Sequence, residues 1–264
     1  MSKLLVAQSA NKLLDSFDST DVLSSGTLQI FRSDRKLFSN FLSALDGSMP
    51  DTRRAMLDMG CGFGALSTLL GNSLGLDEIY GIDGDNERAE AAVKRGLQLS
   101  RLDLEKDPFP YPSETFDLAT TFGVLDHLKT IDNPIGEAHR VLKPGGCLAV
   151  SNTNLGSWVT RFSLLLGYQP RNIEISRKGL FGVHRLYKEL YTCTDAMGRI
   201  TSFTLRALEE YLKQTGFEIL KRWGTGLIPA PDRDPGSIVK TVDRVLSRRP
   251  SWAIRYIVLS RKVG

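Results

Sequence analysis

The most chemically suggestive residues of this chain lie at 58–65, in the stretch Asp-Met-Gly-Cys-Gly-Phe-Gly-Ala. The glycines at 60, 62 and 64 let the backbone turn tightly and let a ligand approach where a Cβ would block it. An apolar run at 55–59 precedes them and leucines at helical spacing follow, so the stretch joins a strand to a helix. A helix N-terminus offers free N–H groups and a partial positive charge. The pattern therefore predicts a loop that holds a cofactor.

Two classes of cofactor fit this loop when it is considered alone. Gly60, Gly62 and Ala65 satisfy the G-x-G-x-x-G/A pattern of dinucleotide-binding loops. Gly60, Gly62 and Gly64 satisfy the G-x-G-x-G pattern of loops that bind S-adenosylmethionine (SAM). Asp83 ends the next apolar run and suits either cofactor, because both carry a ribose whose hydroxyl groups can donate hydrogen bonds to a carboxylate.

The carboxylate directly before the loop favours the second class. Asp58 lies at the end of the predicted strand, where a dinucleotide would bring its negatively charged pyrophosphate. SAM brings an ammonium and a sulfonium, which an acidic residue attracts. A tight turn without a ligand would lower helix stability for no evident gain. SAM is therefore the favoured ligand; a nicotinamide-dependent oxidoreductase and a catalytically idle SAM-fold partner protein are the alternatives.

Strands and helices are predicted to alternate around this loop. Short apolar runs predict the strands, and apolar residues at helical spacing predict the helices between them. The Lys-Pro-Gly-Gly sequence at 143–146 predicts a tight turn into one strand. Strands are expected at 55–59, 78–83, 116–122, 147–151, 217–222 and 253–260. This alternation is typical of an α/β protein with a largely parallel sheet and helices on both faces.

Five motifs in sequence order resemble those of the class I SAM-dependent methyltransferases, a Rossmann-like group that includes the type 11-like enzymes. The motifs are LDMGCGFG, YGIDGDN, RLDLEKDPF, FDLATTFGVLDHL and EAHRVLKPGGCLAVSN. The resemblance covers residues 54–151 and, less closely, 197–222. It implies direct transfer of the SAM methyl group to an acceptor, with S-adenosyl-L-homocysteine as the second product.

The resemblance also implies an α/β Rossmann-like fold with a seven-stranded, mostly parallel sheet, helices on both faces and an antiparallel last strand. We expect a single methyltransferase domain over residues 1–264, with a helical N-terminal extension at 1–52 and a SAM-binding core at 53–151. An insertion at 152–200, after the fifth strand, is expected to form a lid over the acceptor. Residues 201–264 are expected to complete the sheet.

The family motifs assign the residues that are expected to bind the cofactor. Asp83 occupies the ribose-binding position, and Asp103 and Leu104 occupy the position that lies against the adenine. The full set of expected SAM-binding residues is Asp58, Gly60, Cys61, Gly62, Gly64, Asp83, Gly84, Asp103, Leu104 and Phe122.

The sequence defines the methyl acceptor less closely. Residues 152–217 are similar to methyltransferases of polysaccharide and lipid-linked sugar pathways. This similarity implies a small-molecule, sugar or lipid-linked acceptor with an oxygen nucleophile, and the basic residues of the insertion would suit an anionic one. A hydroxyl acceptor benefits from a general base, for which His127 and His184 are candidates. Asn152 and Asn154 follow the fifth strand and are candidates to orient a polar acceptor.

The composition narrows the range of partners and locations. The net charge of +4 does not indicate nucleic-acid binding, and the basic residues near the C-terminal end, including Arg255, are interpreted as a solvated face. The cysteines form no CxxC pair, so no metal site is expected. No apolar run suits a signal peptide or a membrane span of roughly 20 residues. A cytoplasmic protein is expected, with peripheral membrane contact left open and the oligomeric state undefined.

Overall fold

Seven strands form one sheet in the computed structural model, which describes residues 3–18, 21, 25–185, 197–227 and 234–264. Across the sheet the strands follow the order β3-β2-β1-β4-β5-β7-β6. Within these described residues β7 alone runs antiparallel to its neighbours, as predicted for the last strand. The strands are β1 (Ala55–Met59), β2 (Glu78–Ile82), β3 (Gln98–Ser100), β4 (Phe116–Phe122), β5 (Leu142–Thr153), β6 (Phe217–Thr225) and β7 (Arg255–Lys262).

Helices cover both faces of the sheet, which confirms the predicted α/β architecture. The helices are α1 (Lys3–Ser16), α2 (Gly26–Ser33), α3 (Arg35–Asp46), α4 (Ala65–Leu74), α5 (Asn86–Lys94), α6 (Asp132–Val141), α7 (Trp158–Leu165), α8 (Leu205–Gln214) and α9 (Gly236–Leu246). Helices α1 to α4 contribute to the core on one face of the sheet, and α6 and α8 to the core on the other. Among the described residues, no helix combines the length and apolar character that crossing a membrane would require.

The central strands β1 and β4 are buried along nearly their whole length. A parallel strand that is covered on both faces has a continuous apolar sequence, which is why Ala-Met-Leu-Asp-Met is visible as a strand in the sequence. Asp58 is the one charged residue of β1, and it lies near the carboxyl end of the strand. The two strands thereby place the glycine loop at the carboxyl edge of the sheet.

The predicted helical N-terminal region packs directly on the sheet. The ring of Phe31 lies 4.9 Å from that of Phe38 and 5.4 Å from that of Phe41. Phe41 also meets the ring of Trp223 in β6 edge-on at 5.4 Å. These three phenylalanines are fully buried, and each such side chain contributes about 1.5–3 kcal/mol by leaving water. The N-terminal helices are therefore part of the main core.

Several strands differ from the sequence-based expectation in their bounds, and one strand was not predicted. Strand β5 begins at Leu142 because the Lys-Pro-Gly-Gly stretch stays in the sheet, with a register shift in its pairing between Phe116 and Leu118. Strand β3 has only three residues, too few to give a periodic signal. Strand β7 begins at Arg255, because residues 249–254 form turns before it.

The insertion leaves the sheet after β5 and is anchored by a side-chain amide. Nδ2 of Asn154 donates to the carbonyl oxygens of Pro250, Ser251 and Ala253, the last at 2.9 Å. Asn154 is 1% exposed and therefore holds two chain segments together, so the expectation that it orients an acceptor is wrong. The side chain of Asn152 is also fully buried, and its backbone is in register with Tyr256 in the β5–β7 ladder.

Candidate active site

One cavity of about 960 Å³ opens at the carboxyl ends of β1, β2 and β4. Ligands of open α/β sheets bind at this edge, and small-molecule sites enclose about 300–1,000 Å³. All of the residues predicted to bind SAM line this cavity, and so does His127. The structure therefore brings together side chains that are spread over some 70 positions of the sequence.

The loop glycines Gly60, Gly62 and Gly64 have positive φ angles of 78°, 54° and 78°, but they differ in what a side chain at each position would contact. A Cβ at Gly60 would lie 2.3 Å from Cγ2 of Val124, and a Cβ at Gly64 would lie 3.1 Å from Cα of Ala92. A Cβ at Gly62 would meet no heavy atom within 4 Å. Gly60 and Gly64 are thus required by the protein's own packing, whereas the space beside Gly62 is open.

Asp58 is a desolvated carboxylate in the wall of the cavity. It is 3% exposed and accepts hydrogen bonds from Oγ of Ser67 at 2.5 Å and from Oγ1 of Thr120 at 2.7 Å. Burial raises the pKa of Asp58 to about 6, against the opposing effect of these two hydrogen bonds. A cation bound nearby would compensate the charge that burial disfavours.

Asp83 ties the end of β2 to the glycine loop. Its Oδ2 accepts a hydrogen bond from the N–H of Gly62 at 2.8 Å, and its Oδ1 accepts one from the N–H of Asp85 at 2.9 Å. Asp85 in turn caps α5 by accepting from the N–H of Arg88. Gly84 lies between the two carboxylates and lines the cavity. The acidic side chain predicted to meet a ribose is thereby fixed against the loop.

The remaining predicted cofactor residues form the other walls. Asp103 follows β3 and pairs with Nζ of Lys106 at 2.9 Å, which lowers the pKa of its carboxyl. Leu104 is 8% exposed, and Phe122 at the end of β4 meets the ring of Phe41 edge-on. Burial raises the pKa of the Cys61 thiol, so this sulfur stays protonated. These walls are apolar apart from the carboxylate of Asp103.

A buried ion cluster forms part of another wall of the cavity. Asp126, in the 3-10 turn Leu125–His127, is 1% exposed and accepts from Nε of Arg199 at 3.1 Å and from Oγ1 of Thr153 at 3.0 Å. Nη1 of Arg199 lies 3.7 Å from Oε1 of Glu174, whose side chain is 3% exposed. The end of the insertion is thus bound to the turn that follows β4.

His127 lies next to this cluster, on the cavity side. Its Nε2 is 3.7 Å from Oδ1 of Asp126, and its Nδ1 is 3.3 Å from the carbonyl oxygen of Gly198. The Oδ1 atom of Asp126 is buried and makes no hydrogen bond within the described residues. The imidazole ring of His127 therefore lies beside a carboxylate oxygen that has no hydrogen-bond partner in the described residues.

His184 lies elsewhere. Its ring packs edge-on against the ring of Tyr168 at 4.6 Å, inside the insertion. It is not among the described residues that line the cavity. The candidate role of His184 as a base therefore has no support in the geometry, because a base must reach the acceptor's proton.

Several cavity residues were not predicted. Met197 and Arg199 come from the insertion, and Ser25, Gly26 and Thr27 come from the start of α2. Arg255 also lines the cavity, which corrects its assignment to a solvated face. A Cβ added at Gly26 would lie 2.5 Å from Nη1 of Arg255. A Cβ added at Gly123 would lie 3.1 Å from Nη2 of the same arginine. The two glycines were the feature of the sequence that could have indicated a close contact. The sequence does not show that both glycines face the same arginine.

Comparison with known proteins agrees with this geometry. The sequence model of a family described as "Methyltransferase domain" matches residues 30–222. The chain is 28% identical over 172 residues to the sterol 24-C-methyltransferase of Kluyveromyces lactis, covering 63% of this chain and 41% of that protein. It is 30% identical over 126 residues to the mitochondrial ubiquinone biosynthesis O-methyltransferase of Candida albicans, covering 44% and 38%. The chain thus spans less than half the length of these two relatives.

The solved structures agree on the fold. A SAM-dependent methyltransferase from Mesorhizobium loti superposes with a TM-score of 0.53 at 21% identity, over 83% of this chain and 96% of that one. At this identity the likeness establishes the fold, and the family match over residues 30–222 rules out the nicotinamide-dependent alternative. The chain belongs to the methyltransferase-domain family and has the fold of the SAM-dependent methyltransferases.

Proposed function

We propose that the cavity binds SAM on the side of the glycine loop and the methyl acceptor on the side of the insertion. The observation that carries this division is the open space at Gly62, flanked by the carboxylates of Asp58 and Asp83. Bound SAM supplies an electrophilic methyl group on a sulfonium. The residues proposed to hold it are Asp58, Gly60, Cys61, Gly62, Gly64, Asp83, Gly84, Asp103, Leu104 and Phe122.

Each acidic residue of this set has a separate proposed role. Asp83 accepts hydrogen bonds from the ribose hydroxyl groups, in addition to those from the N–H groups of Gly62 and Asp85. Asp58 attracts the positively charged methionine end, because a cation offsets the cost of its buried charge. Asp103 lies at the adenine end, where Lys106 keeps it ionised.

The acceptor proposed here is a small molecule, a sugar or a lipid-linked compound that presents a hydroxyl group. The sterol and ubiquinone methyltransferases among the relatives support an apolar or lipid-like acceptor. The insertion, proposed as the lid over this acceptor, contributes Met197 and Arg199 to the cavity wall. The N-terminal residues Ser25 and Thr27 line the same cavity and complete the proposed acceptor side.

His127 is the proposed general base. If its Nδ1–H donates to the carbonyl of Gly198, its Nε2 carries the lone pair that accepts the hydroxyl proton. The resulting imidazolium is stabilised by Asp126, whose Oδ1 lies 3.7 Å away. Most of the acceleration then comes from holding the hydroxyl oxygen in line with the methyl group, and the base assists.

Radiolabelled SAM tests the acceptor class directly. We expect the wild-type chain to transfer label from SAM into the lipid or glycan fraction of a cell extract. Asp83→Ala should weaken SAM binding by about 10- to 100-fold, roughly 1.5–3 kcal/mol, and abolish labelling at low SAM concentration. Asp77→Ala, which changes an exposed carboxylate, is the matched control. Label confined to protein would contradict the proposed acceptor, and unlabelled extract would favour an idle SAM-fold protein.

The role of His127 has its own test. With the acceptor identified, His127→Gln should lower kcat by about 100-fold and remove a pH dependence of kcat, while SAM affinity stays within about threefold. An unchanged pH profile of kcat would show that His127 positions residues of the insertion and accepts no proton.

A further inference from the structure

The insertion presents many large apolar side chains to solvent. Leu165 is 77% exposed, Ile175 70% and Leu166 66%. Scattered exposed apolar residues are ordinary on a protein surface, but contiguous sets mark surfaces that bind something apolar. We name this set the α7 face; it consists of Phe162, Leu164, Leu165, Leu166, Tyr168, Ile173, Ile175 and Phe181.

Helix α7 differs from an ordinary surface helix in the polarity of its buried and exposed faces. Its buried residues are Val159, Thr160 and Ser163, and the Thr160 hydroxyl group pairs with Oγ of Ser157 and Oδ1 of Asn172. Phe162 and Leu165 face outward. A surface helix normally turns its apolar stripe to the core and its polar residues to water. This helix keeps polar partners inside and offers apolar residues to the outside.

The charges around the α7 face are positive on the solvent side. Glu174 is the one carboxylate in residues 156–185. Its side chain is buried, where it accepts hydrogen bonds from the N–H groups of Met197, Gly198 and Arg199. The same stretch carries five basic residues, Arg161, Arg171, Arg177, Lys178 and Arg185.

Helix α9 extends this surface beside the start of α7. Nε1 of Trp158 donates to Oδ1 of Asp243 at 2.8 Å, which joins the two helices. On α9, Ile238 is 79% exposed, and Val242 and Val245 follow on the same helical face. The exposed Arg244 lies on this helix and Arg248 directly after it, so apolar and basic side chains again occur together.

We propose that the α7 face docks on an anionic lipid surface. Leucine and phenylalanine side chains enter the boundary between headgroups and acyl chains, while Arg177 and Lys178 contact lipid phosphates. The excess of positive charge beside the apolar residues favours an anionic bilayer over a protein partner with charges of both signs. The loop that carries Ile175 is tied through Glu174 to Met197 and Arg199 in the cavity wall. Docking therefore brings the cavity close to the bilayer. That the bilayer then delivers a lipid-linked acceptor to the cavity rests on the proposed function.

Co-sedimentation with vesicles tests the docking. We expect the wild-type chain to sediment with vesicles of phosphatidylcholine and phosphatidylglycerol, and much less with phosphatidylcholine alone or at high salt. The double variant Leu165→Ser/Leu166→Ser should lower vesicle affinity by at least about tenfold, because it removes the buried hydrocarbon. The variant Arg177→Glu/Lys178→Glu should do the same by reversing charges. Matched controls are Val93→Ser and Lys94→Glu on α5, both exposed, which should bind like the wild type.

The outcomes separate docking from the proposed function. SAM affinity, measured by calorimetry without vesicles, should be unchanged in all four variants, since they lie outside the cavity. Loss of vesicle binding in the α7-face variants alone supports docking even if no lipid is methylated. Failure of the wild type to bind either vesicle would overturn the proposal and point to a protein partner. Equal binding by the variants and the wild type would also overturn it.

Discussion

At the scale of single residues, the site contains a buried carboxylate, Asp58, whose negative charge is not compensated by a neighbouring cation among the described residues. Asp58 accepts hydrogen bonds from the hydroxyl groups of Ser67 and Thr120, which carry no positive charge to compensate the buried carboxylate. Its folded-state pKa of about 6 means that the folded chain prefers the protonated form more than the unfolded chain does. Below the pKa of about 4 that Asp58 has in the unfolded chain, the protonated side chain makes its full contribution to the free energy of unfolding. This contribution is lost as the pH rises through about 6.

The substitution Asp58→Asn should therefore stabilise the chain without SAM above about pH 7. The neutral amide removes the cost of the buried charge, and we expect the free energy of unfolding to rise by up to about 3 kcal/mol near pH 8. SAM binding should weaken at the same time. Urea titrations near pH 8 and near pH 4 measure the first effect, since the gain should vanish at the lower pH. The exposed Asp51→Asn is the control, and a variant that loses stability at both pH values would contradict the assignment.

The loop glycines allow a sharper substitution test. Gly62→Ala adds a methyl group in open space at a φ of 54°, so we expect a loss of about 1–2 kcal/mol in stability with the fold retained. SAM affinity should fall at least tenfold, because that space belongs to the ligand. In Gly60→Ala the added methyl group would clash with Val124, so this variant should lose more stability than Gly62→Ala. The SAM affinity of its folded molecules should fall no further than that of Gly62→Ala. Equal SAM affinity of folded Gly62→Ala and wild type would show that the loop faces no cofactor.

The cofactor side of the cavity was predictable because its residues sit within motifs. Asp58 lies near the end of β1 and Gly62 and Asp83 lie just after strand ends, and the carboxyl edge of a parallel sheet collects such residues. The acceptor side was not predictable in the same way. Arg199 and Arg255 reach the cavity from irregular or distant segments, and no periodicity in the sequence reports which wall such a side chain joins.

At the scale of elements, the insertion is held to the sheet by charge as much as by packing. Arg199, Asp126 and Glu174 are all buried, and two segments that are far apart in sequence meet through them. The N–H groups of Ile200 and Thr201 also donate to the carbonyl oxygen of Asp126. The sequence predicted the place of this insertion from the break in the strand and helix rhythm, but not its attachment, since ion pairs between distant segments leave no local pattern.

Breaking that attachment should release one part of the chain. Arg199→Ala leaves two buried carboxylates unpaired, which costs about 3–5 kcal/mol. We expect faster hydrogen exchange at the amides of residues 197–201, with protection in β1 and β4 nearly unchanged. Arg177→Ala removes an exposed arginine and is the control. Uniformly faster exchange over the whole sheet would contradict local attachment and indicate a role in global stability.

At the scale of the whole molecule, the sheet and the N-terminal helices form one folding unit. Phe41 touches Phe31 in α2, Phe122 at the cavity end of β4 and Trp223 in β6. The fold class and the antiparallel last strand were predictable from the motifs, whereas this joint core was not. Residues 1–52 gave only helical spacing, which does not tell an appended helix from one that completes the main core.

Phe41→Ala should therefore affect the entire structure. Removing a fully buried ring costs about 3–5 kcal/mol, and loss of contact with Phe122 should also weaken SAM binding modestly. Thermal unfolding followed by circular dichroism should show a single transition at lower temperature. Phe162→Ala, where the ring is 47% exposed, should change stability by less than about 0.5 kcal/mol. A separate early transition in Phe41→Ala would contradict a joint core.

The position of β7 has a consequence for synthesis of the chain on the ribosome. Strand β7 follows β6 in sequence but lies between β5 and β6 in the sheet, and its hydrogen bonds link the two. While residues 255–262 are still being translated, β5 therefore presents an unsatisfied edge and β6 has no strand to join. Open edges of this kind invite pairing with other nascent chains, so a shielding factor is most useful in the final seconds before β7 emerges.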